Sequence, residues 1–203
     1  MSPETDSGDT VTVEQVVVAL QGGGVVLLPT DTVYGLAVRP GDDAALARLF
    51  AMKQRPLSRN LPVMVADADQ ARALGAQVTP VAATLLAAFA PGALTVALGL
   101  VDPPGWLAGR DEVAVRIPDD AFLLEVLRAA GPLLVTSANL SGRDTPETMP
   151  EVLDQLDGAP DLAVDGGPRP TVPSTLVNCN LPTPAIERVG AVPPEQIEKV
   201  LHG

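Results

Sequence analysis

Cysteine and histidine are almost missing from this chain. The single cysteine, Cys179, excludes an intrachain disulfide and any Cys-x-x-Cys redox or metal pair. It also favours a reducing, cytoplasmic setting. The single histidine, His202, is the penultimate residue, so the body of the chain has none for a triad, a metal cage or a general base. Aromatic residues make up only 2%, too few to form a stripe on which bases stack. No apolar run reaches the roughly eighteen residues of a membrane span. Neither an internal repeat nor a composition break divides the chain, and no pair of carboxylates marks a glycosidase or two-metal site.

What is present is a globular composition. The chain has 203 residues, 46% hydrophobic and 19% charged, with a net charge of −12. It is long enough to bury a core as one domain, expected over residues 11–203. The acidic, polar residues 1–10 are expected to be a flexible tail, neither a signal peptide nor a targeting helix. So negative a balance argues against nonspecific nucleic-acid binding but allows a local basic pocket.

Hydrophobic periodicity predicts helices over 13–21, 42–53, 68–74, 80–89, 122–130, 150–156 and 194–201. Short apolar runs predict strands over 25–28, 61–65, 94–98, 113–117, 133–135, 162–164, 175–177 and 186–189. Residues 29–35 and 136–145 read as loops, and Asp165-Gly166-Gly167 as a turn. Strands and helices interleave without strict βαβ order. The fold class is therefore α/β, a twisted open mixed sheet with flanking helices.

Five segments could carry chemistry. Thr30-Asp31-Thr32-Val33-Tyr34-Gly35 follows a buried strand, where α/β sheets usually bind ligands, although the same residues also make ordinary capped turns. Lys53-Gln54-Arg55-Pro56-Leu57-Ser58-Arg59 holds three of the thirteen basic residues and one of only two lysines. It either complements a helix C-terminus or clamps phosphate. In Val113-Ala114-Val115-Arg116-Ile117-Pro118 the two valines share one strand face, while Ala114 and Arg116 share the other. Arg116 there faces either solvent or an anion. Thr136-Ser137-Ala138-Asn139-Leu140-Ser141-Gly142 is a small polar loop, neither a Walker loop nor a nucleophile elbow. Pro173-Ser174-Thr175 and Glu187-Arg188 bound strands and are read first as capping and surface charge.

Together, Pro29–Gly35, Lys53-Gln-Arg55, Pro91-Gly-Ala-Leu-Thr95, Val113–Pro118, Ser137-Ala-Asn139 with Ser141-Gly142, and Pro173-Ser-Thr175 resemble the YrdC/TsaC family of threonylcarbamoyl-AMP synthases. The resemblance runs from about Val16 to Val192. It implies a concave, positively lined cavity in which L-threonine, bicarbonate or CO2, and ATP give threonylcarbamoyl-AMP and pyrophosphate, with Mg2+ expected. A separate transferase complex would then use the product to modify tRNA. By position, the resemblance implies Lys53 and Arg55 as the catalytic pair. It implies ATP contacts from Lys53, Arg55, Arg59, Ser137, Asn139, Thr145 and Arg188. Threonine contacts would come from Thr32, Arg116 and Ser174, with Arg116 on the carboxylate and the Tyr34 and Val135 region completing the pocket. No metal-ligating residues are implied.

The chain departs from the pattern of longer members at Met64, where many carry a histidine, and at Asn60, where many carry a proline. Their additional C-terminal domain is not expected here. Three rivals share the fold: a YciO-type paralogue without synthase activity, a double-stranded-RNA-binding module, and a carbamoyl-transfer domain of hydrogenase-maturation type. The intact Lys53/Arg55 and Ser137/Asn139 pairs weigh against the first, the charge against the second, and the lack of flanking acylphosphatase and zinc-finger segments against the third.

Overall fold

The computed structural model describes residues 11–56 and 60–202. The expected tail over residues 1–10 lies outside them. Among the described residues the helices are α1 (Val13–Gln21), α2 (Asp43–Met52), α3 (Ala68–Ala73), α4 (Pro80–Phe89), α5 (Ala121–Ala130), α6 (Met149–Gln155) and α7 (Pro194–His202). Each start that bears on the site has a side-chain cap: Asp42 Oδ1 accepts from Ala45 N at 2.9 Å, and Asp120 Oδ1 from Leu123 N at 2.9 Å. None of the helices is long and apolar enough to cross a membrane.

The strands are β1 (Val26–Leu28), β2 (Gly35–Val38), β3 (Val63–Met64), β4 (Leu94–Gly99), β5 (Glu112–Arg116), β6 (Leu133–Ser137), β7 (Leu162–Ala163), β8 (Thr175–Asn178) and β9 (Ala185–Arg188). They form one sheet in the order β7-β1-β2-β6-β3-β5-β4-β8-β9. β1/β7, β3/β5 and β4/β8 are parallel and the other pairs antiparallel, which is the mixed sheet expected. The sequence reading assigns no element to β2. Its apolar run after Gly35 is only three residues long and looks like the end of a loop. Pairing on both sides, with β1 and β6, makes it a central strand.

Alternation along the strands divides the core in two. Leu27, Leu36, Val63, Val96, Val113, Val115 and Val177 face a large core closed by residues of α2, α3, α4, α6 and α7. Val26, Leu28, Ala37, Met64 and Val135 face a smaller core closed by Val16 and Leu20 of α1 and by Leu123, Val126 and Leu127 of α5. That second core takes no residue from β5, β4, β8 or β9. Two helices therefore cover half of one sheet face. The other half is left as the floor of a cavity.

Leu127 is fully buried beneath this two-helix layer. Leu127→Ala should lower stability by about 2–5 kcal/mol, the range for emptying a packed leucine site. Urea denaturation monitored by circular dichroism measures it. A loss below about 0.5 kcal/mol would mean that α5 is not the cover described here.

Candidate active site

The cavity has a volume of about 290 Å³, at the small end for ligand sites. Its floor is the uncovered sheet face: Ala114 and Arg116 of β5, Thr95 of β4 and Leu176 of β8. Small side chains here leave room. Gly35 at the start of β2 also lines the wall, and a Cβ on it would lie 2.8 Å from Val135 Cγ1. Among the described residues the charged lining consists of Arg55, Arg110, Arg116 and Arg188 against Glu112. In an acidic chain, that concentration of arginines makes the cavity locally positive.

Arg116 is the most enclosed of the four, with only 5% of its side chain exposed. Nε donates to Gly92 O at 3.0 Å, Nη1 to Thr32 Oγ1 at 2.7 Å and Nη2 to Asp31 Oδ1 at 2.6 Å. Desolvation lowers its pKa, while the charge and hydrogen bond of Asp31 oppose the shift. The loop that supplies these partners is built on Thr30. Thr30 Oγ1 accepts from the backbone N–H groups of Thr32 and Val33 and donates to Val33 O at 2.7 Å. Thr30 thus makes the capped turn, while Asp31 and Thr32 serve the arginine. The capped-turn reading of this segment holds at Thr30.

On the next wall, Arg188 Nε and Nη2 donate to Ser174 O at 3.0 and 2.8 Å, and Nη2 also reaches Ser174 Oγ at 3.0 Å. Ser174 Oγ lies 2.7 Å from Thr95 Oγ1. Desolvation of the guanidinium and then the like charge of Arg116 lower the Arg188 pKa. Arg55 Nη1 donates to Thr136 Oγ1 at 2.9 Å, and its guanidinium stands 5.7 Å above the Phe50 ring.

Lys53 is arranged differently. It caps the C-terminal end of α2 and is 2% exposed. Its Nζ donates to Ser137 O, to Asn139 O at 2.7 Å and to Asn139 Oδ1 at 3.3 Å. Asn139 Oδ1 also accepts from Ser137 Oγ at 2.5 Å and Thr145 Oγ1 at 3.4 Å. Its Nδ2 donates to Leu140 O and Arg143 O at 2.9 and 2.6 Å. Lys53, Asn139 and Thr145 form a polar staple behind the loop, and Ser137 presents the loop to the cavity.

The family model for Sua5, YciO and YrdC proteins, described as "Telomere recombination", matches residues 18–190. The chain belongs to this family. It is 37% identical over 194 residues to a threonylcarbamoyl-AMP synthase of Bacillus subtilis (strain 168), covering 93% of this chain and 56% of that protein. It therefore spans about half the length of the first curated relatives it matches. The crystal structure of Pyrococcus abyssi Sua5 complexed with L-threonine superposes with a TM-score of 0.85 at 31% identity, covering 96% of this chain and 59% of that one. Escherichia coli YciO superposes with a TM-score of 0.79 at 29% identity, covering 88% and 89%.

In this Sua5/YciO/YrdC cavity, the structure brings Thr32, Arg55, Arg116, Ser137, Ser174 and Arg188 into the wall, together with Val135. Arg59 lies outside the described residues. Tyr34 is turned into the large core, away from the cavity. Its hydroxyl donates to Gly167 O at 2.8 Å and accepts from Gly166 N at 3.0 Å, which anchors the Asp165–Gly167 turn. Burial raises its pKa. Met64 lines the wall beside Arg116, its register partner on β5, so a thioether stands next to the buried cation. Asn60 also lines the wall. Sequence reasoning missed Thr95, Arg110 and Glu112. Glu112 shares the face of Ala114 and Arg116, and Thr95 is a hydroxyl inside an apolar strand, so strand alternation could have found both.

Only a protonated Lys53 can serve three acceptors, yet desolvation, followed by the charge of Arg55, lowers its pKa to about 7. As pH rises through that value the amine loses one N–H and the staple loses a bond. The folded pKa lies below the unfolded one. The cost of burying the ammonium is therefore full below pH 7 and is relieved as pH climbs toward the unfolded value. The chain has just two lysines. Carbon-labelled lysine should therefore give two side-chain signals by NMR. The one lost in Lys53→Arg should titrate with a midpoint near 7. A midpoint close to the ordinary lysine value of about 10.4 would contradict the desolvation argument.

Proposed function

We propose that this chain is a threonylcarbamoyl-AMP synthase. The observation that carries the reading is the gathering, in one cavity, of an enclosed arginine flanked by hydroxyls with further arginines on either side of it. The enclosed one suits an α-carboxylate. The others, Arg55 beside the Ser137 loop and Arg188 on the opposite side, suit phosphates. The relatives' names and the threonine complex of the Pyrococcus protein support the same assignment.

In this reading L-threonine lies with its carboxylate on Arg116 and Thr32, and Ser174 contacts the amino acid. The threonine ammonium sheds a proton, its nitrogen bonds to the carbon of CO2, and a second proton leaves that nitrogen, giving a carbamate. Starting from bicarbonate, water leaves. A carbamate oxygen then attacks the α-phosphorus of ATP, the bond to the β-phosphate oxygen breaks, and pyrophosphate departs. The substrates supply the nucleophile, so the lack of a histidine base or a protein nucleophile is no obstacle. The protein aligns two anions and stabilises charge on the phosphates as it shifts to pyrophosphate. Arg55 would touch the nucleotide directly. Lys53, Asn139 and Thr145 would act by holding the loop, and Arg59 is proposed from its position in the sequence alone.

No group of three or more metal-ligating side chains occurs among the described residues. Magnesium is therefore proposed to arrive on the ATP phosphates, as part of the substrate. The product is a mixed carbamic–phosphoric anhydride, which a separate tRNA threonylcarbamoyl transferase would consume in the cytoplasm. With a net charge of −12, strong tRNA contact by this chain is not expected.

Pyrophosphate release from Mg–ATP tests the reading, measured with and without L-threonine and bicarbonate. Release should require both. Arg55→Ala should cut kcat/KM for ATP by about a hundredfold or more while the protein stays folded, as circular dichroism would show. Folded protein that releases no pyrophosphate under these conditions would exclude the synthase and favour a YciO-type role.

A further inference from the structure

We infer that Asp31 is a positioning residue for the substrate carboxylate, acting through Arg116. The inference rests on the synthase reading above and deepens it by assigning a residue that the family resemblance leaves without a role.

Asp31 is not part of the cavity wall, although Thr30, Thr32 and Val33 on either side of it are. Its carboxylate instead meets Arg116 Nη2 at 2.6 Å in an ion pair whose partners are 5% and 14% exposed. Gly92 O holds Nε and Thr32 Oγ1 holds Nη1, so each guanidinium nitrogen has one anchor. Three anchors fix both the plane of the group and its rotation. Of the five N–H bonds of an arginine, two remain, one on each terminal nitrogen. Those two are available to a substrate carboxylate.

Asp31 is the one charged anchor. Without it Arg116 becomes a buried cation held by two neutral acceptors, and Nη2 has no anchor. The alternative is that Asp31 competes with the substrate by occupying the clamp itself. Its place outside the wall and its use of a single Nη2 bond argue against this. A ligand carboxylate inside the cavity can bind beside Asp31 without displacing it.

The test is calorimetric titration of the full chain with L-threonine, with L-threoninol (whose carboxylate is replaced by an alcohol) and with a nonhydrolysable Mg–ATP analogue. Wild type should prefer threonine to threoninol. Asp31→Asn should weaken threonine binding by about tenfold or more, the scale of a charge-assisted contact. Its affinities for threoninol and for the nucleotide should stay within about twofold, a selectivity that general loosening would not produce. Threonine binding as tight as wild type, or tighter, overturns the inference, as does an equal loss for all three ligands. Should Asp31→Asn fail to fold, Asp31→Glu is read instead. It keeps the charge but displaces it by one methylene, and the preference for threonine over threoninol should shrink. An unchanged preference overturns the inference. Wild-type protein that binds no threonine overturns the synthase reading itself, an outcome separate from any failure of Asp31.

Discussion

A guanidinium removed from water must be met by partners that replace its hydration, and Arg116 is the point where this fold meets that requirement. Its three contacts come from two segments: Asp31 and Thr32 from the loop after β1, and Gly92 from the turn before β4. Removing one partner from a buried pair leaves a charge uncompensated, at a cost of about 3–5 kcal/mol. The arginine therefore holds two loops in register at the cavity's edge, and those loops hold the arginine. Arg116 also lines the cavity, where its remaining N–H bonds can serve a ligand. A structural ion pair and a ligand site are here the same group of atoms.

The sheet makes this possible by being covered unevenly. α1 and α5 close half of one face over Val26, Leu28 and Ala37. On the other half, Thr95, Ala114 and Leu176 are left as a floor. Polar side chains that would be costly beneath a helix are satisfied there by one another, as in the Ser174, Thr95 and Arg188 cluster. The second polar group, the Lys53 and Asn139 staple, joins the end of α2 to the loop after β6. It stands behind the wall and fixes where Ser137 points.

Much of this was legible because strand periodicity carries it. Val113, Ala114, Val115 and Arg116 alternate between a buried face and a polar one, and the structure keeps that division. Helix periodicity was legible too, and in the structure the short polar side chains of Asp42, Asp120 and Thr79 cap three of the starts. β2 was not, since its central place comes from two long-range pairings. Nor was the division of labour between Lys53 and Arg55. Two residues apart in sequence, they are aimed differently after the left-handed turn at Gln54, φ 48°. Lys53 meets partners more than eighty positions away, which local pattern cannot specify. Tyr34 belonged to the right loop but had to point to one face or the other, and the Asp165–Gly167 turn took it.

The measurement that bears most directly on this account is a crystal structure of the chain with L-threonine. The account predicts both carboxylate oxygens within hydrogen-bond distance of Arg116 Nη1 and Nη2, with the Asp31–Arg116 pair intact behind them. An amino acid whose carboxylate sits on Arg55 or Arg188 instead, or one that displaces Asp31 from Arg116, would contradict it.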